Sequence, residues 1–98
     1  MLNEQIRTLR TARNMTQVDL AKVLNVTKQS VSNWENDNIQ PSIDMLVKIA
    51  SYFSVSCDYL LGIDQKRYLD VTGLTESETT HIQQIIADII SAKAKSNS

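Results

Sequence analysis

The chain has 98 residues, 42% of them hydrophobic, with one cysteine, two glycines and one proline. This is enough apolar material for one compact core, with too few turn formers for a β-sandwich or barrel, no disulfide framework and no thiolate cluster for a structural metal. The formal net charge of −1 hides a polarity, since residues 1–30 sum to +3 and residues 31–62 to −3. A chain polarised in this way can turn a basic face to a polyanion while staying near neutral, and then depends on specific contacts more than on bulk charge.

In chain order, Leu2, Ile6 and Leu9 are spaced four and three apart and predict a first helix, with Asn3 as a candidate N-cap and an end near Asn14. Thr16 precedes a second run of about eight residues, with Leu20, Ala21 and Leu24 on one face, which Asn25 interrupts. Thr27 opens a third run to about Asn36, in which Val31 and Trp34 are the only large apolar residues. Residues 37–40 are turn formers, Pro41 blocks continuation, and Ser42 caps a fourth helix with Leu46, Ile49, Ala50 and Phe53 at i, i+3, i+4 and i+7. Ser56 caps a short fifth helix over 57–61, which Gly62 ends in a left-handed position. Residues 63–74 lose the helical period and read as a linker. Thr75 and Glu78 then form a capping box before Ile82, Ile85, Ile86, Ile89 and Ile90, an apolar stripe on a polar helix that ends near Lys95; Lys93 and Lys95 suit the negative end of its dipole. The expected organisation is all-α: five helices in 1–62, a linker over 63–74, an amphipathic helix over 75–95 and a disordered tail at 96–98.

The third run carries the functional signal. Opposite Val31 and Trp34, the residues Lys28, Gln29, Ser32, Asn33 and Asn36 form a continuous face of ammonium, amide and hydroxyl groups. A face made for solubility tends towards Glu and Lys, whereas an amide offers one donor and one acceptor, the pattern on the edge of adenine, and Lys suits guanine. A solvated flank rich in amides is the plain alternative.

The residues 17–36, QVDLAKVLNVTKQSVSNWEN, with Pro41 and Ser42 after them and Asp58, Tyr59, Leu60, Leu61 and Gly62 further on, resemble the phage-repressor and Cro-like helix-turn-helix regulators, often called the Xre family. The resemblance runs from about Leu2 to Gly62 and implies a five-helix lambda-repressor-like DNA-binding domain. Ala21 is small where the two helices cross, Val31 locks the second from beneath, and Asn25 takes a turn position where the family usually has Gly. Carried over by position, the resemblance implies that Lys28, Gln29 and Asn33 face the major groove, with Ser32 at its edge. It implies that Gln17, Ser30 and Asn36 hold the phosphate backbone. Asn38 is a further phosphate candidate, and Thr16 and Thr27 are caps first and phosphate contacts second. It also implies a structural ion pair between Arg10 and Glu35, while Arg7 and Arg13 have no assigned partner. Repression, in a bacterium or one of its phages, follows from the family alone.

Little other chemistry is legible. Cys57 reads as a small buried hydrophobe, His81 has no second ligand at metal spacing, and neither a phosphate-binding glycine loop nor a nucleophile with its base is present, so neither an enzyme nor a cofactor is expected. No apolar stretch approaches the roughly 18 residues of a membrane span, and residues 1–13 carry Glu4 and three arginines where a secretory signal is apolar; a soluble cytoplasmic protein is expected. The five isoleucines make a stripe too large to leave wet, which folds back on the first domain or pairs with another chain. Pairing is the favoured reading, because the first five helices already close a globule in the family pattern, the linker separates the sixth from it and the stripe alternates by three and four; two copies would then set two reading faces about 34 Å apart on an inverted repeat of double-stranded DNA. The competing view is an antitoxin, or a regulator controlled by an antirepressor, whose last helix binds a different protein.

Overall fold

A computed structural model describes residues 2–96. Among them are six α-helices and no strand: α1 Leu2–Ala12, α2 Gln17–Leu24, α3 Lys28–Glu35, α4 Ile43–Phe53, α5 Cys57–Leu60 and α6 Glu76–Ser96. The chain divides into two compact units after Tyr68, with α1 to α5 in the first and α6 in the second. Of the tail expected to be disordered, position 96 closes α6, and 97–98 lie outside the described residues.

Local chemistry starts the helices. Thr16, Thr27, Ser42 and Ser56 hold extended backbone, and their side-chain oxygens accept the amide N–H of Asp19, Ser30, Met45 and Tyr59. Each bond satisfies one of the donors that a helix start leaves without a partner. At α2 the Asp19 carboxylate answers by accepting from the Thr16 N–H at 2.8 Å, completing a capping box. Asn3 does not cap: it lies inside α1, which already includes Leu2 because that side chain packs against the core.

Each helix of the first unit ends in a left-handed residue, Asp37 after α3 and Gly62 after α5 included, and at three of these ends the device carries an apolar anchor. Asn14, Asn25 and Ser54 are left-handed, with φ of 57°, 57° and 55°. The amide after each donates five residues back: Met15 to the Arg10 carbonyl, Val26 to Ala21 and Val55 to Ala50, at 3.1, 2.9 and 3.0 Å. Met15, Val26 and Val55 all pack against the core, so each reversal ends in an apolar anchor. The sequence reading identifies Asn25 and Gly62 in this role and misses Asn14, Asp37 and Ser54; after Ser54 the reversal is anchored by the half-buried Val55.

The core of the first unit draws on every one of its helices: Ile6 and Leu9, Leu20, Ala21 and Leu24, Val31 and Trp34, Ile49, Ala50 and Phe53, and Leu60. Cys57 packs against this cluster, half-buried. The end of α2 is finished from α4, where Lys48 Nζ donates to the Leu24 carbonyl at 2.6 Å. Beyond Gly62 the first unit continues: the amides of Ile63 and Asp64 donate to the Asp58 carbonyl, and the Arg67 guanidinium lies 5.4 Å from the Tyr59 ring centre.

In the second unit Thr75 and Glu78 bond reciprocally, at 2.9 and 3.1 Å, ahead of α6. Ile85, Ile86, Ile89 and Ile90 are 45, 42, 52 and 62% exposed.

The left-handed Asn25 gives a test. Asn25→Val should lower unfolding free energy by about 1–2 kcal/mol in urea titration, because a β-branched residue clashes in that conformation. Asn25→Gly should leave it within about 0.5 kcal/mol, its freedom in the folded turn set against the greater entropy of its unfolded chain.

Candidate nucleic-acid interface

The polar surface of α3 is set by what lies behind it. Glu35, at the end of α3, has a side chain with 0% exposure, yet it is charged. Arg10 of α1 grips it with both arms of the guanidinium fork, Nε to Oε2 at 2.6 Å and Nη2 to Oε1 at 2.9 Å. Gln17, at the start of α2, adds Nε2 to Oε1 at 3.2 Å. Arg10 Nη1 also donates to the Met15 carbonyl at 2.6 Å, so one guanidinium stitches the α1–α2 turn to α3.

Burial pushes the Glu35 carboxyl up, but the hydrogen bonds from Arg10 and Gln17 and the Arg10 charge outweigh it and hold the group below its ordinary value. The hydrogen bond to Glu35 raises Arg10 in turn, against its own partial burial. Both remain ionised at neutral pH, a bidentate pair whose separation would strand a charge in the interior.

With that anchor and with Val31 and Trp34 buried, α3 turns its other side outwards. Lys28, Gln29 and Asn36 are exposed, and Ser32 and Asn33 are half-exposed. Two bonds run along this face, Gln29 Nε2 to Asn33 Oδ1 at 3.0 Å and Asn36 Nδ2 to Ser32 Oγ at 3.2 Å. The first leaves the Gln29 carbonyl oxygen as an acceptor and the Asn33 amide nitrogen as a donor. Thr27 Oγ1 and Ser30 Oγ lie 3.0 Å apart within the α3 cap, and Thr16 Oγ1 accepts the Asp19 amide, so these three hydroxyls already have local partners. Gln17 points its amide nitrogen inwards to Glu35. Asn38, exposed after α3, has its backbone N–H held by the Asn33 carbonyl at 2.9 Å.

Two arginines without partners in the sequence reading have them here. Arg7, 54% exposed, sits 3.5 Å from Glu35 Oε1 and donates to the Glu35 carbonyl and to Asn36 Oδ1 at 3.4 and 3.5 Å. It is therefore a loosely held charge at the margin of the α3 face. Its place one turn before Arg10 on α1 was the available signal, since residues three apart share a helix flank. Arg13 lies 5.2 and 5.0 Å from the ring centres of Tyr52 and Phe53 and donates to the Tyr52 carbonyl at 3.4 Å, closing the end of α4 by cation–π contact.

A family model described as Helix-turn-helix matches residues 6–60, which contain α2, its turn and α3. The chain belongs to the helix-turn-helix family. Its type is that of the phage repressors: the P22 c2 repressor, solved in complex with synthetic operator, superposes with a TM-score of 0.61 at 30% identity, over 65% of this chain and 97% of that one. The transcriptional regulator ImmR of Bacillus subtilis is 31% identical over 87 residues, 89% of this chain and 68% of ImmR. The transcriptional activator BcrR of Enterococcus faecalis is 41% identical over 60 residues, 61% of this chain, and the match spans only 29% of BcrR. The chain thus has the lambda-repressor-like fold of the helix-turn-helix transcriptional regulators, and no described helix is long and apolar enough to cross a membrane.

The Glu35 pair sets the acid stability. A carboxyl held below its unfolded value stabilises fully above about pH 4.3 and loses that contribution as pH falls through the folded value. Unfolding free energy should therefore drop on the acid side, and Glu35→Gln should flatten part of that limb. At pH 7 Arg10→Met should cost about 3 kcal/mol, and adding Glu35→Leu should recover part of it. Strict additivity in chemical denaturation of the double variant counts against the coupling.

Proposed function

We propose that the chain is a homodimeric, sequence-specific double-stranded DNA-binding regulator that acts in the cytoplasm and represses transcription by occupying an inverted-repeat operator. The observation that carries this reading is the outward amide and hydroxyl face of α3, backed by the buried Arg10–Glu35 pair. The P22 c2 repressor bound to synthetic operator supports it from outside.

Lys28, Gln29 and Asn33 enter the major groove, with Ser32 at its edge. The linked Gln29 and Asn33 amides present an acceptor and a donor, the complement of the N6 donor and N7 acceptor of adenine, so the pair reads one A·T base pair as a unit. Asn36, Asn38 and Ser30 lie against phosphate, and Gln17, whose side-chain amide is taken by Glu35, does so through its backbone N–H at the start of α2, with weaker contributions from Thr16 and Thr27, whose hydroxyls serve the caps first. Arg7 joins this group because it stands beside Asn36 and is held only by long contacts. Dimerisation falls to the isoleucine stripe of α6, and two-fold symmetry makes the target an inverted repeat.

Selection from random duplexes at a stated salt concentration should return a palindrome. Asn33→Ala should relax one symmetric pair of positions by about 1–3 kcal/mol, and Gln29→Ala should relax the same pair. Arg7→Ala should weaken all sequences alike and reduce the salt slope by about one per subunit. Uniform weakening by Asn33→Ala sinks the groove assignment. BcrR is named an activator, so the sign of regulation is read directly: with the selected site placed in a promoter, transcription should fall as protein is added.

A further inference from the structure

The stripe of α6 is longer than its isoleucines. Glu78, Ile82, Ile85, Ile89 and Lys93 follow one another at spacings of four, three, four and four, so an acidic and a basic residue bracket the apolar face at opposite ends. Ile86 and Ile90 widen that face. The midpoint of Glu78 and Lys93 falls between Ile85 and Ile86, and so does the midpoint of Ile82 and Ile89. The Glu78 carboxylate is fixed by the capping box, where Oε1 accepts the Thr75 N–H, and that bond holds it ionised below the ordinary carboxylate range.

We propose that α6 pairs with α6 of a second copy in antiparallel orientation, about a two-fold axis passing between Ile85 and Ile86. This rests on the homodimeric reading above and adds its geometry. In this register Ile82 is level with the partner's Ile89, Ile85 with the partner's Ile86, and Glu78 with the partner's Lys93. Parallel pairing sets Glu78 beside the partner's Glu78 and Lys93 beside the partner's Lys93, two like-charge contacts in place of two attractive ones, and aligns the helix dipoles unfavourably.

The antiparallel register also holds the two α6 starts apart. Glu76 and the partner's Glu76 are then 19 residues apart in level, or about 28 Å at roughly 1.5 Å per residue. Parallel pairing brings the same points to about 10 Å.

The test uses the full chain. In a Cys57→Ser background, a nitroxide at Thr79→Cys should report about 20 Å between labels in an antiparallel dimer and about 10 Å in a parallel one. Lys93→Glu should weaken the dimer about tenfold by sedimentation equilibrium, and adding Glu78→Gln, which keeps a capping-box acceptor, should restore part of that. A dimer with labels near 10 Å, or one indifferent to Lys93→Glu, overturns the antiparallel register and leaves the homodimer standing. A chain that remains monomeric at micromolar concentration overturns both.

Discussion

A single buried carboxylate organises the first unit. Glu35 is a charge in the interior, a costly arrangement unless its oxygens are satisfied, and the groups that satisfy it come from two other helices: Arg10 from α1 and Gln17 from α2. Because the guanidinium fork is planar and bidentate, it restricts direction as well as distance, and so fixes the rotation of α3 about its axis. Apolar burial of Val31 and Trp34 alone would tolerate some rolling of so short a helix. The polar geometry removes that freedom, and the outward residues of α3 inherit their positions from it.

The outward face is ordered by a lighter version of the same chemistry. Gln29 with Asn33, and Asn36 with Ser32, are bonded one helical turn apart, which limits the rotamers these side chains sample before any partner arrives. Pre-ordered side chains lose less entropy on binding, a benefit that matters more for a chain of net charge −1, which has little bulk electrostatic attraction to offer a polyanion. Arg7 adds charge at the edge of this face, whereas Arg10 and Arg13 are spent on the fold.

The second unit follows a different logic. Where the first unit buries its apolar residues among its own helices, α6 carries its isoleucines on an exposed stripe between an acidic and a basic end. A stripe of this kind lowers its free energy by association, and charges at its ends select the orientation of the partner without adding much affinity. Recognition and assembly would then rest on separate parts of the chain and could be altered separately.

The sequence by itself determined whatever depends on residues within one or two turns of each other. The N-caps at Thr16, Thr27, Ser42, Ser56 and Thr75, the left-handed Gly62, the core stripes and the polar face opposite Trp34 all follow from local hydrogen bonding and helical periodicity. Its resemblance to known regulators supplied the pairing of Arg10 with Glu35, which spacing could not. Tertiary structure alone decided the rest: that Gln17 turns inwards to Glu35, that Arg7 reaches Asn36, that Arg13 stacks on Tyr52 and Phe53, that Leu2 draws Asn3 into α1, and that Ser54 is left-handed before a half-buried Val55. Most of these contacts join residues far apart in the chain, and the others depend on which side chains the core accepts. Neither composition nor period encodes which long side chain finds which partner once the helices have packed.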